Sequence, residues 1–254
     1  MTGEEWQTSG DPIPMLRFLI GTDYPRVQAV EAFPNCKGSD RKLRLFACAC
    51  YERLSHLLPD PRARAAVKVA ERFADGEAST DELEQADAQL RGLLDALEGR
   101  WRASRGAERV VLAPTHEALA LGRMVVWSEA PKAAYYASSN AYLAFAAMMN
   151  PGAAAYDSGF LASKAAEKRA QADLLRCIFG NPFRPGAANP KWRTMEAVAL
   201  ARAIYDNKAF ERLSVLAGAL RDAGCDDERL LAHGRAEGAH ARGCWVVDFG
   251  LGKG

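Results

Sequence analysis

Apolar residues recur along this chain at three- and four-residue spacing in segment after segment, which is the period of an α-helix. Asp11-Pro12 opens an amphipathic stretch through Ile20, with Asp11 placed to cap it. Residues 21 to 38 hold Gly21, Pro25, Pro34 and Gly38 and read as a loop. Ser39-Asp40 then precedes the clearest early helix, Arg41 to Leu58, whose core face is Leu43, Ala47, Cys50, Leu54 and Leu57. Leu45, Phe46 and Cys48 widen that face, so burial on most sides is expected near its middle. Pro59-Asp60-Pro61 stops this helix and starts another, which ends at Asp75-Gly76. Ser79 or Thr80 caps the next, striped by Leu83, Ala86, Leu90, Leu94 and Leu97.

Gly99 to Glu108 is polar and basic and reads as a linker or loop. Thr115 is expected to cap a helix through Trp127, and Pro131 to open a helix of small residues. Ser163 to Phe179 follows, then a turn over Gly180 to Pro190 in which Phe183 should be buried. Lys191–Tyr205, Ala209–Ala223 and Asp226–His233 continue the helical pattern. Cys244 to Leu251, centred on Trp-Val-Val-Asp-Phe, is the one segment with strand character. The fold class expected is therefore all-α. It would be a compact multi-helix bundle or short helical array of about ten helices, with at most one short C-terminal strand. Residues 1–254 form a single helical domain in this reading, with a sub-boundary near 99–114.

Composition sharpens this picture. Alanine occurs 48 times and leucine 26, while valine, isoleucine and threonine together reach 22. That balance favours helices over pleated sheet, and it places small residues where helix backbones can approach closely. The net charge of +1 excludes a global field that recruits nucleic acid or anionic membrane. Residues 133–156 carry no charge, but only Ala141 to Met149 is continuously apolar, far short of the roughly 20 residues a bilayer requires. The acidic N-terminus lacks the basic-then-apolar order of an export signal, and the six cysteines are scattered. Reduced thiols in a cytoplasmic protein are expected.

The densest group of potential ligands is C-terminal: Cys225, His233, His240 and Cys244, spaced Cys-x7-His-x6-His-x3-Cys. Each type binds zinc, yet no close Cys-x2-Cys pair anchors the set. The plain alternative has no cofactor, with Cys225 at a helix–turn boundary and Cys244 packing in the core. Cys48 and Cys50 point about 200° apart on a helix and read as core residues. Thr-His-Glu at His116-Glu117 lacks the second histidine of a zinc-protease motif, since Ala120 stands there. Phosphate-binding glycine loops and Gly-x-Ser-x-Gly are absent from the sequence. Arg100, Trp101, Arg102, Arg105 and Arg109 form the patch best suited to a nucleic acid or another partner, although Glu98 and Glu108 flank it. Tyr135, Tyr136, Tyr142 and Tyr156 surround the small-residue helix, where aromatic packing or a ligand pocket would use them.

Three blocks carry a resemblance: Ser39 through Cys50 (SDRKLRLFACAC), Leu174 through Pro185 (LLRCIFGNPFRP), and Gly224 onward through Asp248, ending in GCWVVD. Together they resemble a family of uncharacterised bacterial helical proteins, in which these blocks recur as a module alone or joined to other domains. The resemblance spans most of the chain and implies a bacterial cytoplasmic setting without an activity. The family pattern has cysteines where this chain has Tyr51 and Gly234, so a thiol-based site of relatives would be incomplete here. The leading functional expectation is a non-catalytic helical binding module with a protein partner. The alternatives are a metal- or thiol-dependent enzyme using the C-terminal Cys/His group together with Asp248, and nucleic-acid association through Arg100–Arg109.

Overall fold

In the computed structural model, the structure describes residues 1–23, 27, 32–184 and 189–253. The loop expected over 21–38 and the turn over 180–190 therefore lie partly outside the described residues. Among those described, every regular element is helical. The α-helices are α1 (Gly3–Thr8), α2 (Pro12–Ile20), α3 (Asp40–Leu54), α4 (Pro61–Ala74), α5 (Thr80–Ala103) and α6 (Gly106–Val125). They continue with α7 (Ala130–Met149), α8 (Ser158–Phe179), α9 (Met195–Asn207), α10 (Leu213–Asp222), α11 (Glu228–Arg235) and α12 (Trp245–Leu251). Short 3-10 turns occupy Pro190–Trp192 and Phe210–Arg212.

The chain divides into two compact units, Ser9–Ala172 and Met1–Thr8 with Asp173–Gly254. The divisions fall at Thr8 and Ala172, whereas residues 99–114 lie inside the larger unit.

In the larger unit, α3 packs on α7, α4 and α6. Ser39 caps α3 by accepting from the Lys42 N–H, and Leu43 through Tyr51 are all buried. Burial on every side follows because small residues line the facing helix: Ala133, Ala134, Ala137, Ala141 and Ala144 of α7 are buried. One of the buried residues of α3 is charged. The Arg44 guanidinium donates to the Val125, Trp127 and Ser128 carbonyls at 3.2, 2.8 and 2.8 Å, closing the C-terminal end of α6. Burial lowers its pKa, and the helix's exposed carbonyls supply the compensating negative charge. A second buried polar chain runs from Ser138 to Gln171 (2.6 Å), on to Glu167 (3.2 Å), and from Glu167 to the two-pronged Arg53 (2.8–3.2 Å). Each buried polar group in it is thereby satisfied.

Two expectations change here. The stretch Gly99–Glu108 is helical except for Ser104 and Arg105, and Thr115 does not cap a helix, because α6 begins at Gly106 and continues through Pro114. Trp101 explains the continuity. It stacks on His116 at 3.9 Å and 7°, and Arg109 lies 3.6 Å from its ring while donating to the Trp101 carbonyl at 2.7 Å. These contacts fasten the end of α5 to the start of α6.

In the smaller unit, α9 packs on α10 and α12, and α11 packs on α10 and α12. Ile204, Leu216, Leu220, Val246 and Val247 belong to its core. The segment with strand character is the helix α12. Backbones approach closely in this unit: a Cβ built on Gly250 would fall 2.7 Å from that of Ala201, and one on Gly234 2.8 Å from that of Ala217. The N-terminus belongs to the same unit. Trp6 is fully buried, donates to the Gly180 carbonyl at 2.8 Å, and accepts from Arg176 at 3.0 Å through its own carbonyl. Phe183, expected inside, is 38% exposed.

Candidate metal centre

The end of α8 carries Cys177 on the face that also buries Leu174 and Ile178. α11 carries His233. Ala236 ends that helix, and a nonhelical stretch then leads through His240 to Gly243, whose φ of +87° glycine adopts without a Cβ penalty. That turn delivers Cys244 to the N-cap of α12, with the Cys244 N–H bound to the Ala241 carbonyl at 3.0 Å. Three elements and one loop thus converge. One donor atom each from Cys177, His233, His240 and Cys244 lie within 4.8 Å of one another, with both sulfurs buried and both imidazoles partly so.

Cys177 Sγ lies 3.4 Å from His240 Nδ1, and Cys244 Sγ lies 3.4 Å from His233 Nε2. A tetrahedral zinc with ordinary Zn–S and Zn–N bonds sets its ligand atoms about 3.3–3.8 Å apart, so these spacings suit the ion. His240 is also oriented by a partner beyond the donor group. Its Nε2 lies 3.3 Å from the Ala236 carbonyl, and an N–H donating there leaves the Nδ1 lone pair facing the sulfurs. The His233 ring meets that of His240 edge-on at 5.1 Å and tilts against Trp245 at 5.5 Å, which restricts its rotation.

The sulfurs are electrostatically unequal. Burial opposes charge on Cys244, but hydrogen bonds from Cys177, His233 and His240 outweigh it and hold its thiol pKa well below the ordinary value. Cys177 is pushed well above its ordinary value by its hydrogen bond to Cys244, with burial adding to the effect. Burial alone would lower the His240 pKa, yet contact with Cys244 leaves it raised. The lowered thiol of Cys244 thus faces two imidazoles, and a metal-bound cysteine must be deprotonated.

Of the residues singled out from sequence, the structure brings His233, His240 and Cys244 together. Cys225 stands elsewhere. It follows Gly224, whose φ is +85°, and its N–H closes the end of α10 on the Leu220 carbonyl at 3.0 Å. The donor that completes the group is Cys177, which lies 56 residues before His233 and outside the C-terminal spacing. Its one sequence signal is its place inside the Leu174–Pro185 block. Asp248 is buried on α12 and is not a member of the group.

The arginine patch has a different fate. Arg100 pairs with Glu108 at 3.8 Å and Arg102 with Glu98, while Arg105 donates to the Arg102 and Ser104 carbonyls at 2.7 Å. With Arg109 and Trp101 engaged as described, each residue of the patch already has a partner within the chain. Among the described residues, no helix is long and apolar enough to cross a membrane. No family model, curated protein or solved structure matches the chain.

Proposed function

We propose that this protein is a non-catalytic helical binding module of the bacterial cytoplasm whose smaller unit is organised by a zinc ion on Cys177, His233, His240 and Cys244. The observation that carries the reading is the convergence of two thiols and two imidazoles, from distant parts of the chain, to within 4.8 Å. Four protein donors saturate a tetrahedral zinc and leave no position for an activated water, which is the pattern of structural rather than catalytic sites. The two sulfurs favour zinc over the hard cations that select oxygen donors. The metal's role is to tie α8, α11, α12 and the stretch before Cys244 into one body. The unit so held then presents helix faces to a protein partner.

Elemental analysis of the purified chain tests this directly. The native protein should carry about one zinc per chain, as should Cys225→Ser, whereas Cys177→Ser should lose most of it. Cobalt in place of zinc should give the intense visible bands of a tetrahedral thiolate site. A metal-free native protein, or zinc retained in Cys177→Ser and lost in Cys225→Ser, would sink the reading.

A further inference from the structure

The larger unit holds a second constellation, built around the tyrosines of α7. A cavity of about 500 Å³ is lined by Asp11, Arg17, Tyr135, Tyr136, Tyr142 and Lys168, a volume in the range of small-molecule sites. Its charges do not cancel. Lys168 Nζ is bound to Asp11 Oδ2 at 2.7 Å and lies 4.9 Å from the centre of the Tyr142 ring. The other Asp11 oxygen is taken by the Ile13 N–H at 3.0 Å, the cap of α2. That leaves Arg17, whose Nε is buried and has no hydrogen-bond partner. A buried guanidinium N–H without an acceptor is costly enough that native structures rarely leave one. Arg17 lines an aromatic-walled cavity whose lining residues carry one uncompensated positive charge.

We propose that this cavity binds a small organic acid, its carboxylate on the Arg17 guanidinium and its flat apolar body among Tyr135, Tyr136 and Tyr142. The planar fork of arginine matches a carboxylate in two parallel hydrogen bonds. A monoanion balances the single spare charge among the residues that line the cavity. Burial and the nearby Asp11 raise the Tyr142 pKa, so its hydroxyl stays protonated at neutral pH and serves as a donor to the same anion.

Titrating benzoate, acetate and inorganic phosphate into the full chain by calorimetry tests the site. Benzoate should bind with a dissociation constant of about 1 mM or tighter, and acetate, lacking the flat body, more weakly. Arg17→Ala should weaken benzoate at least about tenfold, and Arg17→Lys, a point charge without the fork, by less. Tyr142→Phe should cost roughly threefold while disturbing the fold least. The melting temperature of each variant without benzoate separates lost binding from lost structure, and if Arg17→Ala fails to fold, the Lys and Phe variants carry the test. Absent benzoate binding, binding undiminished in the folded variants, or phosphate binding tighter than benzoate would each overturn the proposal.

Discussion

In the larger unit, a 15-residue helix buries every side chain from Leu43 to Tyr51, and α6 and α7, of 20 residues each, pack around it. In the smaller unit the four helices after α8 have 13, 10, 8 and 7 residues. Helices that short are marginal alone, because each pays for nucleation and gains few propagated hydrogen bonds. The nonhelical stretch between α11 and α12 also needs something to order it. Closing the larger unit takes only apolar contact, a buried arginine cap and a satisfied polar chain. The smaller unit places four metal-binding side chains at the point where its short elements meet. A structural metal is one way to hold such short elements together. With the proposed zinc in place, one chain of uniform helical composition stabilises its two parts by different chemistry.

The sharpest way to break that contrast is to remove the proposed ion. Chelation, or Cys177→Ser, should lower the stability of the smaller unit by more than about 5 kcal/mol, since structural zinc sites couple binding directly to folding. Hydrogen exchange should then show lost protection across α9–α12, with α3 and α7 unchanged. Equal loss in both units, or none in either, would mean the units are not stabilised differently. The reciprocal change is Leu54→Ala, which removes a fully buried side chain from α3. It should cost roughly 2–5 kcal/mol, read in the unfolding transition that resists chelation. A change confined to the chelator-sensitive transition would contradict the assignment of α3 to a metal-independent core.

The helical class and most helix starts were legible because caps and apolar stripes are local. Asp11, Ser39 and Ser79 all cap as their side chains suggested. What failed depended on contacts between distant residues or, for the basic run, on pairing along a helix. Trp245-Val-Val has a run of apolar and β-branched residues too short to distinguish strand from helix. The close fit of Gly250 against Ala201 favours the helix there. The basic run near residue 100 looked like a loop, but its charges pair along exposed helix, as Arg102 does with Glu98 four residues earlier. Cys177 could not be grouped with His233 by spacing, since only the packing of α8 brings it there.

The close approach within the smaller unit can be probed separately from its metal. Gly234→Ala would place a Cβ 2.8 Å from that of Ala217, so α11 must shift away from α10. The expected cost is about 1–3 kcal/mol in the chelator-sensitive transition, with zinc stoichiometry retained. A cysteine at this position meets the same Cβ constraint. Unaltered stability would show that α10 and α11 have slack, weakening the claim that small residues permit this packing.

The smallest expected effect lies in the larger unit and is read through pH. Asp60 caps α4, accepting from the Arg62 and Ala63 N–H groups at 2.9 and 3.4 Å and pairing with the Arg62 guanidinium at 2.6 Å. The Arg62 hydrogen bond, opposed by burial and reinforced by the backbone N–H groups, holds its carboxyl below the ordinary aspartate value. A depressed folded-state pKa means the unfolded chain binds the proton more readily. The cap's contribution is therefore present above the unfolded value near pH 4 and is lost as pH falls through the lower folded value. Asp60→Ala should cost about 1 kcal/mol at neutral pH. The gap between variant and native protein should shrink as pH falls below about 4, measured in the chelator-resistant transition so that proton-driven loss of metal does not intrude. A gap that stays constant to the acid limit would show that the charge of Asp60 contributes nothing and that its role is steric, making the start of α4 insensitive to the protonation that loosens the thiolate-held unit.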